Sequence, residues 1–451
     1  MERHFFGTDG IRGRVGVAPM TVDFALRLSN AAAQALAPTG GSVLIGKDTR
    51  ISGYMFESAL EAGFVAVGID VWLTGPLPTP GIAYLTKKLG ADFGIVISAS
   101  HNFYEDNGIK FFDREGEKLS DALEETIEGF LEDPPKTLDS RALGQATHLS
   151  SARSDYMEFC KSTIPEKTSL DGLKIVVDAA HGAGYKVAPR AISDLGAEVI
   201  PVGCSPNGRN INDGCGSTRP DLLKTTVSGV QANVGFALDG DGDRLLMVDE
   251  DGSLVDGDKL LYILARDRIK TKSLRGPIVG TVMSNLGLEL ALREGGAEFL
   301  RAKVGDRHVL EMLKKHGGVL GGETSGHLIC LDKTTTGDGL VVALQILSIM
   351  QRTGKTLKEL ASGMRQFPQT LINVPIAKSI DLEMDSTIRD VVESVERELV
   401  ENGRVVLRAS GTEMVVRVMV EGEDAGQVSR LAEKLAQSVR VAGGTPAAVV
   451  N

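Results

Sequence analysis

The sequence predicts an α/β protein: three successive α/β domains and a smaller C-terminal α+β domain, arranged around a central cleft. Short apolar runs alternate with helical stretches in three rounds, and each round ends in a polar, glycine-bearing loop. The last part of the chain breaks this rhythm. At 451 residues the chain is too long for one ordinary core. The expected domains are residues 1–150, 151–252, 253–367 and 368–451.

In the first round, "SVLIG" is a strand that empties into "KDTRISG", whose Lys47 and Arg50 are expected to line the cleft. The following helix carries Met55, Ala59, Leu60, Phe64 and Val67 on one face. "VWL" and "FGIVIS" are further strands, and the second runs into "ASHNFYEDNG". A helix from about Asp121 turns Leu123, Ile127, Phe130 and Leu131 inward, with Glu124 placed to complete a capping box. Residues 132–150 have the proline and polar content of a linker.

The second round comprises "LKIVVDAAHGAG", a helix, "AEVIPVG" and "NVGFAL". The third comprises "GPIVGTVMSN", a helix, "EFLRAKVGD", a second helix and "GGVLGGETSGH". This alternation predicts parallel-type layers, one sheet per round, with ligand loops at the strand carboxyl ends. "GLVVALQILSIM" is too short and too interrupted to span a bilayer, so it reads as a buried helix. Beyond it, a helix over 386–400 presents Ile388, Val391, Val392, Val395 and Leu399 and is closed by Asn402-Gly403. "RVVLRASGTEMVVRVMVEG" then gives two strands around a loop, before a final amphipathic helix.

Hydrophobic content of 42% and charged content of 24% are those of a soluble globular protein. A net charge of −11 argues against nucleic-acid and acidic-membrane partners, but not against small anions met by a local arginine cluster. Four cysteines without a CxxC pair read as reduced thiols, and no signal peptide is visible, so a cytoplasmic location is expected.

The strongest chemical signal is "GFALDGDGDRLLMV" (235–248), with Asp239, Asp241 and Asp243 on alternate positions. Carboxylates so crowded either spread into solvent or share a cation. An EF-hand is rejected, because Arg244 stands where that loop needs glycine and the flanks read as strands. Three hard oxygen ligands without cysteine favour Mg²⁺ over zinc, and Mg²⁺ commonly serves a phosphate.

"SASHNFYEDNGIKFF" places Ser100 beside His101; on an extended backbone neighbours point apart, which disfavours a Ser-His base pair. A phosphate on Ser100 would supply a further metal ligand, with Lys110, Arg244 and Arg12 offsetting its charge. "GGETSGH" offers Glu323, Ser325 and His327 to sugar hydroxyls. "RASGTEMVVR" places Arg408, Ser410, Gly411, Thr412 and Arg417 around one turn, suited to clamp a phosphate. Lys303 and Arg307 of "KVGDR" are further candidates for lining the cleft. Each loop has a bland reading as a solvated turn. Their company favours chemistry.

With these four loops in order, the chain resembles the α-D-phosphohexomutase superfamily from "FFGTDGIRG" to the loop near residue 417. The resemblance implies a phosphoserine at Ser100, one Mg²⁺ on Ser100, Asp239, Asp241 and Asp243, a sugar loop at Glu323, Ser325 and His327, and a phosphate loop at Arg408, Ser410, Gly411, Thr412 and Arg417. It implies conversion of a hexose 6-phosphate to the 1-phosphate through a sugar 1,6-bisphosphate, which serves as intermediate or activator. Lys110 and His327 become candidates for moving the hydroxyl proton, and His101 joins the catalytic set by adjacency. "FFGTDGIRG" and "DNGIKFF" look like the glucosamine-phosphate branch, which supplies UDP-N-acetylglucosamine and the cell wall. Thr324 stands where that branch shows glutamine and the glucose and mannose branches show methionine. The expected partner is a small sugar phosphate, with a homodimer as one expectation. A phosphoglucomutase/phosphomannomutase stays open as an alternative, as do a sensor that kept the fold and a phosphatase releasing phosphate to water.

Overall fold

The computed structural model describes residues 4–444 except 379, 383 and 410–413. Each α/β round builds one sheet, and the C-terminal segment builds a fourth. The first sheet runs in the order Ile11–Arg14, Asp106–Asp113, Phe93–Ile97, Gly41–Lys47, Ile69–Pro76, Ala146–His148. The second runs Leu254–Val255, Leu245–Asp249, Val234–Leu238, Lys174–Asp178, Glu198–Val202. The third runs Phe299–Ala302, Ile278–Thr281, Leu320–Gly322, Leu328–Cys330.

These sheets are mixed rather than purely parallel, and the difference positions the site. The central strands Gly41–Lys47, Lys174–Asp178 and Ile278–Thr281 pair parallel on both sides. One parallel strand of each round then turns back into an antiparallel partner. Phe93–Ile97 returns as Asp106–Asp113, Val234–Leu238 as Leu245–Asp249, and Leu320–Gly322 as Leu328–Cys330. The three hairpin loops carry the serine, aspartate and sugar-loop motifs. A strand such as Val234–Leu238 is buried throughout, so its composition carries no mark of its neighbours' direction.

One apolar cluster runs through all three α/β domains, from Leu44 and Ile82 through Val177 and Phe236 to Leu260 and Leu344. Helix Gly339–Thr353 lies within it, as the apolar run predicts. The C-terminal domain has a separate core around Ile388, Val395, Val418 and Leu431. A domain with its own core can move as a unit. Among the described residues no helix is long and apolar enough to cross a membrane.

Four local expectations need correction. Residues 132–150 are not a free linker: Leu138 and Gly144 donate backbone bonds to Ala66 and Val65, and Ala146–His148 adds an edge strand beside Ile69–Pro76. In helix Ile51–Ala66 the inward stripe is Phe56, Ala59, Leu60 and Phe64, while Met55 is exposed. Helix Asp121–Phe130 is capped by Ser120 alone; Glu124 falls one position past the capping-box site and pairs with Arg307 instead. The C-terminal sheet has a third strand, Gln369–Pro375, paired with Val415–Glu421. Within that strand only Val374 is buried, so its apolar signal is weak.

Candidate active site

Ser100 sits at the head of the first hairpin with φ +51°. A non-glycine residue in this region is strained and persists only where its surroundings fix it. They do so here. The Ser100 amide donates to Ser98 Oγ at 3.0 Å, and its carbonyl accepts from Asn212 Nδ2 at 3.0 Å and Arg50 Nη2 at 3.2 Å. The left-handed turn also overturns the expectation that Ser100 and His101 point apart. Ser100 Oγ lies 3.4 Å from His101 Nδ1.

Lys47 and Arg50 were expected to line the cleft, and both are instead consumed in support. Arg50 is fully buried, paired with Asp48, and bonded to the carbonyls of Ser100 and Asn102. Lys47 is buried against Glu57.

The aspartate loop meets the serine loop at close range. A Cβ on Gly240 would stand 2.5 Å from the Ser100 carbonyl oxygen, so only glycine permits the approach. Ser100 Oγ donates to Asp239 Oδ2 at 2.5 Å. Asp241 accepts from Lys110 Nζ at 2.8 Å and from Thr79 Oγ1 at 2.7 Å. Lys110 Nζ is 3.6 Å from Asp243 and 2.9 Å from Asp9, which also pairs with Arg12.

Asp239, Asp241 and Asp243 are all buried, and each can offer an oxygen within 4.8 Å of the others. Burial, then repulsion from Asp243 and Asp241, pushes the Asp239 carboxyl well above the usual range; burial, then Asp241, raises Asp243. Burial pushes Asp241 the same way, but the Lys110 ammonium overcomes it and holds that carboxyl low. Lys110 therefore offsets only part of the repulsion within the triad, and a cation held among the three carboxylates would offset the rest. Asp241 Oδ1 and Asp243 Oδ1 are buried without a hydrogen-bond partner. This donor set fits a hard divalent ion.

The same centre holds groups suited to an anion. Arg12 Nε and Arg244 Nε are buried without partners. His327, on the third hairpin, is also buried, with neither ring nitrogen hydrogen-bonded. Its imidazole packs so close to Gly337 that an added Cβ there would stand 2.5 Å from the ring. The backbones of His327 and Arg244 form an antiparallel bridge that joins the second and third hairpins. Burial, then the Arg244 and Arg12 charges, lowers His101 to about 4, so it is neutral at pH 7.

Glu323 accepts from the Gly305 amide at 2.9 Å, and Ser325 is exposed at the loop tip. Thr324 donates to the buried Asp258 at 2.8 Å, so its hydroxyl is committed to the fold. Lys303 is exposed, while Arg307 pairs with Asp121 and Glu124 across the joint between the first and third domains. Arg408 and Arg417 are directly opposed on paired strands and half-buried. Ser410, Gly411 and Thr412 lie outside the described residues.

Four family models cover almost the whole chain: phosphoglucomutase/phosphomannomutase α/β/α domain I at residues 3–137, domain II at 154–252, domain III at 256–367, and the C-terminal domain at 371–438. The chain belongs to the phosphoglucomutase/phosphomannomutase family of phosphohexomutases. It is 56% identical over 446 residues to the phosphoglucosamine mutase of Alkalilimnicola ehrlichii, covering 99% of both chains. Among solved structures, a family protein from Burkholderia thailandensis aligns with TM-score 0.81 and 24% identity over 99% of both chains. The N-acetylphosphoglucosamine mutase of Aspergillus fumigatus, solved with GlcNAc-6P and magnesium, aligns with TM-score 0.69 and 19% identity, covering 98% of this chain and 96% of that one.

In this phosphohexomutase several site residues escape motif reading. Asp9 lies in "GTDG" and Asp306 in "KVGDR", yet sequence reasoning favoured the basic neighbours of each. Lys118 and Asn212 sit in stretches with no pattern of their own. Their signal is spatial.

Proposed function

We propose that this phosphohexomutase interconverts glucosamine 6-phosphate and glucosamine 1-phosphate through a phosphoserine at Ser100 and a bisphosphorylated sugar. The substrate assignment draws on full-length identity to phosphoglucosamine mutases. The chemistry draws above all on one contact, Ser100 Oγ on Asp239 within the buried carboxylate triad.

Mg²⁺, the ion named with the Aspergillus relative, would be held by Asp239, Asp241, Asp243 and an oxygen of the serine phosphate. When bound it would polarise that phosphate and offset charge in the transition state. In the first half-reaction a sugar hydroxyl attacks phosphorus and the P–Oγ bond breaks. The hydroxyl loses its proton to a base, and the serine oxygen gains one. Lys110, kept protonated because Asp241, Asp9 and Asp243 outweigh its burial, acts as a fixed cation beside the transferring group. Arg12 and Arg244 add charge with their unpartnered Nε groups. Neutral His101 is placed to exchange a proton with Ser100 Oγ. His327 is placed to serve the sugar hydroxyl, with Glu323 and Ser325 orienting the ring. In the second half-reaction the bisphosphate turns over and returns a phosphoryl group to Ser100.

The non-reacting phosphate needs an anchor used in both orientations. Arg408 and Arg417 suit that role, because two like charges opposed across a strand pair repel unless an anion joins them. Arg417→Ala is expected to raise KM for both the 1-phosphate and the 6-phosphate by roughly 10- to 100-fold, the loss of one charge-assisted contact. Ser100 phosphorylation and Mg²⁺ binding should persist. An effect confined to one reaction direction contradicts the common anchor.

Coupled assays on glucosamine, glucose and mannose phosphates test the substrate. The highest kcat/KM is expected for glucosamine phosphate, in line with the full-length phosphoglucosamine mutase relatives. A clear preference for glucose or mannose would move the chain to another branch.

A further inference from the structure

Lys110 stands in the first domain and His327 in the third, and ionised side chains run between them. Lys110 Nζ is 2.9 Å from Asp9 Oδ2. The other oxygen of Asp9 accepts from Lys118 Nζ at 2.5 Å. Lys118 also pairs with Asp306 Oδ2, and that same oxygen lies 3.4 Å from His327 Nε2. The three linking side chains are largely sheltered, at 20% exposure for Asp9, 12% for Lys118 and 14% for Asp306.

We infer that Lys118 is a positioning residue for phosphoryl transfer: by tying Asp9 to Asp306 it fixes Lys110 and His327 at the two ends of one ionic chain. Two observations separate this role from simple adhesion between domains. The His327 ring has no hydrogen bond at either nitrogen, so the nearby Asp306 carboxylate and the close approach of Gly337 are among the few contacts available to hold it. The joint between the first and third domains also has independent contacts: Arg307 with Glu124 and the Leu119 carbonyl, and Lys314 with Glu117. Removing Lys118 leaves those in place. Electrostatics agree, since Lys110, Lys118 and Arg12 overcome burial to hold Asp9 well below the usual carboxyl range. Lys118 and His327 likewise overcome burial to lower Asp306. Removing one member of such a sheltered chain leaves its neighbours imperfectly paired.

The inference rests on reading Lys110 and His327 as groups that serve the reacting phosphate and hydroxyl. Its test is steady-state kinetics of Lys118→Met, Lys118→Arg, His327→Gln and the Lys118→Met/His327→Gln double variant, beside the unaltered enzyme. Lys118→Met is expected to lower kcat about 10- to 100-fold, part of what a positioned acid or base contributes, with KM changed less than about 2-fold. Ser100 phosphate content and Mg²⁺ affinity should match the unaltered enzyme. Lys118→Arg should recover part of kcat, and the double variant should lose little beyond His327→Gln alone. Should Lys118→Met prove too unstable to assay, the near-isosteric Asp306→Asn is expected to give the same kcat loss. A normal kcat in both variants, or fully multiplicative losses in the double variant, would overturn the inference and leave Lys118 a domain latch. No loss in His327→Gln would overturn the reading of His327, and the inference with it.

Discussion

Ser100→Ala is expected to fold, keep the three aspartate ligands while losing the phosphate one, and lose turnover by more than about 1,000-fold, as removal of a covalent nucleophile does. The change deletes one hydroxyl and its bond to Asp239, which costs only about 1 kcal/mol of stability. The loop geometry does not depend on that hydroxyl. The Ser98, Arg50 and Asn212 contacts all go to the Ser100 backbone and survive the substitution. Mass mapping should find phosphate on Ser100 in the unaltered enzyme and none in the variant. Turnover within about 10-fold of normal would show that Ser100 is not the acceptor.

The second large effect belongs to the aspartate triad. Asp243→Asn keeps the side-chain shape but removes one anionic ligand, so Mg²⁺ affinity and kcat should fall together. Ligand linkage gives an independent readout: Mg²⁺ at about 100 times its Kd should stabilise the unaltered protein by about 2.7 kcal/mol, and far less the variant at the same concentration. The raised carboxyls of Asp239 and Asp243 set the pH dependence. Bound metal needs them ionised, while burial and mutual repulsion favour their protonated forms. Mg²⁺ affinity should therefore fall as the medium is acidified and recover towards neutral pH. Calorimetric titration at several pH values checks this. Full activity after chelation, or affinity that is flat with pH, would rule out the metal role.

Much of this architecture is legible in the residues because each round repeats one pattern, a short apolar run opening into a glycine-bearing loop. Strand direction was not legible. Leu245–Asp249 is buried along its whole length, and nothing in its composition distinguishes an antiparallel from a parallel neighbour. The aspartate loop announced itself through unusual charge density, and Ser100 through the resemblance its loop carries. The relation of Ser100 to His101 could not be read, because it depends on a left-handed turn at a non-glycine residue. Arg50 was misplaced for a similar reason: an arginine on a polar loop reads as a ligand group until its carbonyl partners are seen. Asp9, Lys118 and Asp306 acquire meaning only together, 188 positions separating the last two in sequence.

The central property of the enzyme is that it conserves phosphate by passing it between Ser100 and the sugar. The most direct measurement starts from protein carrying ³²P on Ser100, mixed with unlabelled glucosamine 6-phosphate and Mg²⁺ and quenched at successive times. Label is expected to leave the protein for sugar phosphate, passing through the bisphosphate, while inorganic phosphate stays unlabelled. Label released chiefly as inorganic phosphate, or retained on the protein while the sugar is converted, would contradict it.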